Sequence, residues 1–221
     1  THRSGAGTYE TWEGTYAVGS PVTGLAAAQN TLAIHTAEGI WSLTSTGSAN
    51  TPYQIEKKTE QGSIGGRAIV TTPENVQLFP RLDGIYEWSG GTDITKVSFA
   101  LDEGYWRDLN KARISYSFAV HYALENETWF FLPNGGSEQT KMNQTMIRKR
   151  IEDQYLWFGP FESASEDVWQ FASAYIIDNK PHAGDYTGLM LDLETGDADR
   201  GAAIAGIFQT GAPPAVDEGQ K

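Results

Sequence analysis

The sequence predicts an all-β protein built from repeated antiparallel units, and three observations lead to that prediction. The first is composition, because the 221 residues include 7 Trp, 10 Tyr, 9 Phe and 24 Gly. Aromatic residues favour strands and glycine favours turns. The second is pattern, since the apolar residues form short runs between turn-like breaks and no long run has the 3.6-residue period of a helix.

The third observation is a repeat, in which two similar stretches are separated by 45 positions. QNTLAIHTAEGIWSLTST begins at residue 29, and ENVQLFPRLDGIYEWSGG begins at residue 74. Their ungapped alignment pairs similar residues at the breaks: Asn30 with Asn75, Glu38 with Asp83, and Gly39 with Gly84. A period of about 40–50 residues with several short strands per unit is typical of β-propeller blades. Such units are expected to repeat, because each blade exposes an apolar face that the next one covers.

The predicted domain is a propeller-like array of antiparallel blades at 22–210. Its blade-like units span about 22–60, 65–110, 111–163 and 164–210. An irregular segment precedes it at 1–21, and a Pro-rich polar tail follows at 211–221. Four is the lowest number of blades found in propellers. We therefore expect a ring that is incomplete in this chain or is closed by additional polypeptide. A β-sandwich is the alternative fold, because any all-β protein can contain two similar hairpins.

The first two units follow one plan. Residues 22–45 contain three apolar runs, and the breaks at Asn30 and at 37–39 each suit a tight turn. Residues 65–91 repeat this arrangement, with turns at 73–75 and at Asp83-Gly84. The stretch 93–110 is the least β-like, and there we expect a strand at 97–100 and a short helix around 103–109.

The later units restart the pattern with insertions. Two strongly apolar runs in 113–136 flank a polar break at 125–127, and two more in 146–163 flank a break at 152–154. Residues 168–197 supply a strand, a turn at 178–180 and a further hairpin near 184–185. These four positions predict four more hairpins.

Five residues are expected to form the structural turns of the first two units: Asn30, Gly39, Asn75, Asp83 and Gly84. We expect positive φ at the two glycines, because a tight turn often requires it and glycine adopts it without steric cost.

Charge and cysteine content narrow the function classes. The net charge of −12 disfavours a surface that coats nucleic acid, because phosphates repel carboxylates. We therefore expect no tight nucleic-acid binding. The absence of cysteine excludes disulfides, thiolate metal sites and cysteine nucleophiles. No apolar run is long enough to span a membrane, so no membrane association is expected.

The sequence gives no sign of catalysis. None of the four histidines lies in a metal-binding motif, and neither a nucleophile elbow nor a phosphate-binding glycine loop occurs. We therefore assign no catalytic residue, no metal and no cofactor. The carboxylates of Asp83, Asp102, Glu127 and Asp185 are the ones that a propeller glycosidase could direct into a central pocket.

One acidic cluster is a candidate cation site. It consists of Asp192, Glu194, Asp197 and Asp199, whose oxygens could bind Ca²⁺. Their spacing does not match an EF-hand loop, and an acidic hairpin turn is the stronger interpretation, since turns favour Asp and Gly.

Three stretches resemble the β-propeller proteins of bacteriophage tails, namely the hub or nozzle group of short-tailed phages and related prophage virion proteins. They are PVTGLAAAQNTLAIHTAEGIWSLT, GSIGGRAIVTTPENVQLFPRLDGIYEWSGG and DYTGLMLDLETGD. The resemblance covers roughly residues 20–100 well and 110–210 loosely. It implies a structural subunit of an oligomeric tail assembly that lines or caps the path of DNA, made in the bacterial cytoplasm and bound to other tail proteins. It supplies no catalytic residue.

Two alternatives belong to other function classes. A carbohydrate-binding propeller, either a lectin or a tail protein that touches host glycans, would show saturable binding to a glycan. A propeller glycoside hydrolase would need paired carboxylates about 5–10 Å apart in a pocket.

Overall fold

The computed structural model describes residues 18–28, 30–48, 52–101, 104–162 and 170–193, and the backbone of 198–199 and 202–203. The predicted all-β fold is confirmed. The described residues contain no α-helix, and short 3-10 turns lie at Gly66–Ala68, Phe99–Leu101, Trp106–Asp108 and Ile114–Tyr116.

Four antiparallel sheets follow one another along the chain, and each is an up-and-down meander of consecutive strands. The first sheet contains β1 (Val22–Ala28), β2 (Thr31–Thr36), β3 (Gly39–Ser45) and β4 (Tyr53–Thr59). The second contains β5 (Val70–Thr71), β6 (Gln77–Arg81), β7 (Gly84–Trp88) and β8 (Thr95–Lys96). The third contains β9 (Phe118–Tyr122), β10 (Glu127–Leu132), β11 (Gln144–Ile151) and β12 (Gln154–Glu162). The fourth contains β13 (Phe171–Ile177), β14 (Lys180–Asp185) and β15 (Met190–Asp192), and β16 (Ala198–Asp199) pairs with β17 (Ala202–Ala203) in a separate short hairpin.

The repeated stretches form matching hairpins. Thr36 pairs with Gly39 at the end of the β2–β3 hairpin, and Arg81 pairs with Gly84 at the end of the β6–β7 hairpin. Each hairpin therefore has a two-residue loop, at 37–38 and 82–83, and the glycine is the first residue of the returning strand. The 45-residue offset thus relates β2 to β6 and β3 to β7.

Side chains alternate between the two faces along each strand. In the second and third sheets, which lie inside the stack, both faces are buried. Leu78 and Ile85 of the second sheet pack with Phe130 and Leu132 of the third. Phe79, the residue beside Leu78, points the other way and packs with first-sheet residues. Because successive side chains of a strand lie on opposite faces, one short strand contributes to two cores.

The third sheet repeats this two-sided packing. Phe130 faces the second sheet, whereas its neighbour Phe131 packs with Phe171 and Ala183 of the fourth sheet. Phe130, Phe131 and Phe171 are completely buried, and burying a side chain of this size contributes about 2 kcal/mol. The four sheets are therefore stacked face to face in chain order, joined by three apolar cores.

The first strand of each sheet lies beside the first strand of the next. Contacts join β1 to β5, β5 to β9 and β9 to β13. Thr71 Oγ1 in β5 donates a hydrogen bond of 3.0 Å to the carbonyl of Ala27 in β1. Arg67, between the first two sheets, donates to the carbonyl of Ala172 in β13 of the fourth sheet at 2.6 Å. The first strands therefore adjoin one another, and the described sheets do not close into a ring.

The prediction of a strand at 97–100, in the region after β8, is wrong. The amide of Ile85 donates to Ser98 Oγ rather than to a backbone carbonyl, and the amide of Leu101 donates to the Ser98 carbonyl. The Ser98 side chain thus ends the β-ladder, and a 3-10 turn follows. Of the helix expected around 103–109, the described part contains only the 3-10 turn Trp106–Asp108.

Candidate functional site

The two turn glycines do not have positive φ, so that part of the prediction is wrong. A Cβ on Gly39 would lie 2.7 Å from the carbonyl oxygen of Thr59. A Cβ on Gly84 would lie 2.6 Å from Ser98 Oγ. Glycine fits at both positions because of close neighbours and not because of the backbone angle: a backbone carbonyl of β4 at Gly39, and the side chains of Lys96 and Ser98 at Gly84. Asn75 does have positive φ, at 60°, in the β5–β6 turn, and Asn30 lies in the β1–β2 turn.

The glycines of the segment 62–66 mark the closest backbone crossings near the first strands. A Cβ on Gly66 would lie 2.0 Å from the carbonyl oxygen of Thr23, and a Cβ on Gly65 would lie 2.8 Å from that of Ser115. The steric role of this segment was not predicted from the sequence, in which it stands out only as part of a stretch that resembles phage tail propellers. Two glycines in a row before a strand were the available signal.

Each described carboxylate considered for a glycosidase is bound within its own sheet. Asp83 accepts a hydrogen bond of 2.6 Å from the Tyr86 hydroxyl. Asp185 accepts hydrogen bonds from the amides of Thr187 and Leu189 at 2.8 and 2.9 Å, so it shapes the β14–β15 turn.

Glu127 is buried at the start of β10 and is bound by two donors. The indole Nε1 of Trp129 donates to one carboxylate oxygen at 2.7 Å, and Lys149 Nζ donates to the other at 2.9 Å. The hydrogen bonds that Lys149 donates to Glu127 and to Glu125 raise the pKa of Lys149. The three described carboxylates thus belong to three different sheets, and Asp102 lies outside the described residues.

The acidic cluster is only partly described. Asp192 ends β15 and Asp199 lies on the backbone of β16, whereas Glu194 and Asp197 lie outside the described residues. Within the described part of the chain, no group of three His, Cys, Asp or Glu residues could hold a metal ion.

A polar contact joins the second and third sheets. Arg148 of β11 is buried, and its Nη2 lies 3.0 Å from Glu87 Oε2 in β7. Its guanidinium lies 3.8 Å from the centre of the Tyr155 ring. The adjoining cavity of about 10 Å³ has room for about one water molecule. It is too small for a sugar.

A wider groove lies beside the 3-10 turn Trp106–Asp108, with a volume of about 650 Å³. Its lining includes Arg107, Lys111 and the paired glycines 135–136, and none of the described residues that line it is aromatic. Sugar rings bind proteins largely by stacking on aromatic faces. The groove is therefore lined by charged and polar groups, without an aromatic ring among its described residues.

His35 is completely buried between the first and second sheets. Its Nε2 lies 2.7 Å from Gln77 Oε1, and the Gln77 amide nitrogen donates to the carbonyl of Ala27 at 3.0 Å. Gln77 Oε1 can only accept, so His35 Nε2 carries the proton. Burial lowers the pKa of His35 to about 4 despite this hydrogen bond, so the ring is neutral at pH 7.

Two sheet faces take no part in the three cores of the described chain. The first-sheet outer face consists of Leu25, Leu32, Ile34, Trp41, Leu43 and Ile55. The fourth-sheet outer face consists of Ser173, Tyr175, Ile177, His182, Met190 and Asp192. Leu25 is 59% exposed and Met190 is 62% exposed. The other five residues of the first-sheet outer face are half-buried.

The chain matches no protein family and no curated protein. Within the described ranges, no helix has the length and hydrophobicity to cross a bilayer.

Proposed function

We propose that this chain is a structural component of a phage virion, a tail hub or nozzle subunit whose sheets are blades of a β-propeller. The observation that carries the proposal is the arrangement of the four meanders. They stack face to face in chain order, and their first strands adjoin one another. Propeller blades have this arrangement, because their first strands surround a common axis.

The residues near the first strands support a mechanical role. Backbone crossings at Gly65 and Gly66 leave no space for a Cβ, and the Arg67 guanidinium lies 5.1 Å from the Phe118 ring while its Nη2 reaches β13. Close packing of this kind transmits force without deforming. A subunit of a tail must withstand load in the same way.

The charge of the chain fits a channel through which DNA passes. A net charge of −12 repels phosphates, so DNA in transit would not be retained. The described carboxylates Asp83, Glu127 and Asp185 have partners within their own sheets, which supports a structural role for these three residues.

The test is the protein content of particles produced by a bacterium that carries the gene. Mass spectrometry of purified particles should find this chain in a fixed ratio to the major tail proteins. A stop codon early in the gene should yield particles with defective tails, and the intact gene supplied in trans should restore them. A chain that is absent from the particles, with tails unaffected by the stop codon, would overturn the proposal.

A further inference from the structure

The outer edge of each sheet is its last strand, since the first strands adjoin one another. An edge strand presents unpaired N–H and C=O groups, so proteins usually shorten it or charge it to prevent pairing with another chain. Two of the four outer strands are short, because β8 has two residues and β15 has three. β4 has seven residues, and Glu56, Lys57 and Lys58 place charges along its edge. These three edges are therefore protected against strand pairing.

β12 has neither kind of protection. It is nine residues long, and only its last residue is charged. Tyr155 and Leu156 are each 42% exposed. Pro160 has no N–H to donate, and φ is 112° at Gly159, so the regular part of this edge is 154–158. A long, uncharged and apolar edge strand is the kind that pairs with a further strand.

The pairing register shows which backbone groups of β12 face its open edge. Ile151 and Gln154 flank the two-residue β11–β12 loop, so they form a hydrogen-bonded pair. The next pair, Arg150 with Tyr155, is then not hydrogen-bonded, and the Arg150 amide donates instead towards β10, at 3.1 Å. By this alternation the N–H and C=O groups of Tyr155 and Trp157 point away from β11. Within the described part of the chain, no other strand pairs with β12.

Apolar side chains flank this edge on both faces of the sheet. Tyr155 and Trp157 lie on the face towards the second sheet, where the Trp157 indole donates to the Val97 carbonyl at 2.8 Å. Leu156 and Phe158 lie on the opposite face, and Phe158 packs against the core between the third and fourth sheets. A strand added to β12 would therefore continue an apolar row on each face.

The cations nearest this edge already have partners. Arg148 lies 3.0 Å from Glu87, and Arg150 lies 3.3 Å from Glu74 and 3.6 Å from Asp153. The edge at Tyr155 therefore has no unpaired cation that could attract a charged segment. Electrostatic complementarity thus favours an uncharged partner.

We propose that β12 receives an added strand from another protein, an extended and uncharged segment of about five residues or more with apolar side chains. Its backbone exchanges hydrogen bonds with Tyr155 and Trp157, and its side chains extend the two apolar rows. In strand addition of this kind, main-chain hydrogen bonds supply the affinity and the neighbouring side chains supply the specificity. The inference rests on the edge of the third sheet and goes beyond the proposed function, so either can fail without the other.

The experiment measures hydrogen exchange of single amides in the full chain by NMR. The probe is the uncharged peptide acetyl-Thr-Val-Thr-Ile-Thr-Val-Thr-amide. The amides of Tyr155 and Trp157 should exchange rapidly in the free chain. They should exchange at least about tenfold more slowly when the peptide is at about ten times its dissociation constant. The amides of Leu156 and Phe158 donate to β11, so they are internal controls whose exchange should not change.

Two changes should remove the protection. The same peptide with N-methyl groups on its three central residues lacks the donors and should give no protection. Leu156→Lys places a charge on the edge and should weaken peptide binding by about tenfold or more. Leu124→Lys is the matched control, because Leu124 is 65% exposed in the β9–β10 turn, away from this edge. Slow exchange of the amides that donate to β11 shows that each variant is folded.

The proposal requires that only the unmethylated peptide protects Tyr155 and Trp157, and only in chains without the added charge. No protection by that peptide would overturn it, as would equal protection by the methylated peptide or equal binding by Leu156→Lys. Slow exchange of the two amides in the free chain would also overturn it, because the edge would then be covered by this chain itself or by a second copy.

Discussion

Single residues near the first strands determine how closely the sheets approach one another. Gly66 has no space for a side chain, because its Cβ position lies 2.0 Å from the Thr23 carbonyl oxygen and 3.0 Å from Gly24 Cα. Both neighbours are backbone atoms, so relief requires β1 to move. The close approach of β1 to the segment before β5 therefore requires that Gly66 has no methyl group.

Gly66→Ala is expected to lower the free energy of unfolding by about 3 kcal/mol, as overpacking against backbone does. Gly91→Ala is the control, because nothing lies within 4 Å of its Cβ position and its φ is not positive. It should be neutral or stabilise by about 0.5 kcal/mol. Urea denaturation of both variants measures the difference, and equal midpoints would contradict the steric explanation.

His35 gives the stability of the protein a defined pH dependence. Its pKa is about 4 in the folded chain and 6.5 in the unfolded chain. Between these values the unfolded chain binds a proton that the folded chain does not. The stabilising contribution is therefore complete above about pH 6.5 and decreases as the pH falls towards 4.

The free energy of unfolding should fall by about 2 kcal/mol more in the unaltered protein than in His35→Gln between about pH 7.5 and pH 5. Glutamine can keep the hydrogen bond to Gln77 but does not titrate. Chemical denaturation at both pH values measures the two changes. The same pH dependence in both proteins would show that His35 is not the titrating group.

At the level of sheets and hairpins, the second and third sheets are joined by a buried ion pair as well as by apolar contacts. Arg148 has 6% of its side chain exposed, and Glu87 has 33%. Removing the carboxylate leaves a buried guanidinium without its partner, which costs more than the pair itself contributes. The Tyr155 ring beside the guanidinium offsets only part of that loss.

Glu87→Gln is expected to lower the free energy of unfolding by about 2 kcal/mol. The double variant Glu87→Gln with Arg148→Met should be more stable than the sum of the single changes, with a coupling energy of about 1 kcal/mol or more. Glu56→Gln removes an exposed partner of Lys58 and should change stability by less than about 0.5 kcal/mol. Strict additivity of the two changes would contradict a direct Arg148–Glu87 interaction.

The hairpins could be predicted from the sequence, because a two-residue loop between alternating strands is encoded locally. The reason for glycine at 39 and 84 could not, since it depends on Thr59 in β4 and on Ser98 after β8, which lie far from these glycines along the chain. The end of β8 was missed for a related reason, because a serine side chain replaces a backbone acceptor there. A side chain that takes the place of a backbone acceptor leaves no periodic signal in the sequence.

At the scale of the whole molecule, the stack follows from strands whose two faces are both apolar. Leu78 and Phe79 are adjacent in the sequence and both buried in the structure, so β6 is covered on its two faces. The sequence could not show which sheets meet, because the three cores join residues that are far apart along the chain. The two outer faces are defined by the pairing register of the strands, which the sequence does not show.

Spin labels test the arrangement of the sheets most directly, and the absence of cysteine allows pairs to be introduced without background. Ala27 and Ala123 lie at the ends of the first strands of the first and third sheets, and Gln54 and Gln154 lie at the same ends of the fourth strands. All four residues are exposed. In blades that radiate from a common axis, the outer pair should be separated by about 20 Å more than the inner pair, because three inter-strand spacings lie between them. Equal inner and outer distances would indicate parallel layers, as in a β-sandwich, and would contradict the propeller arrangement.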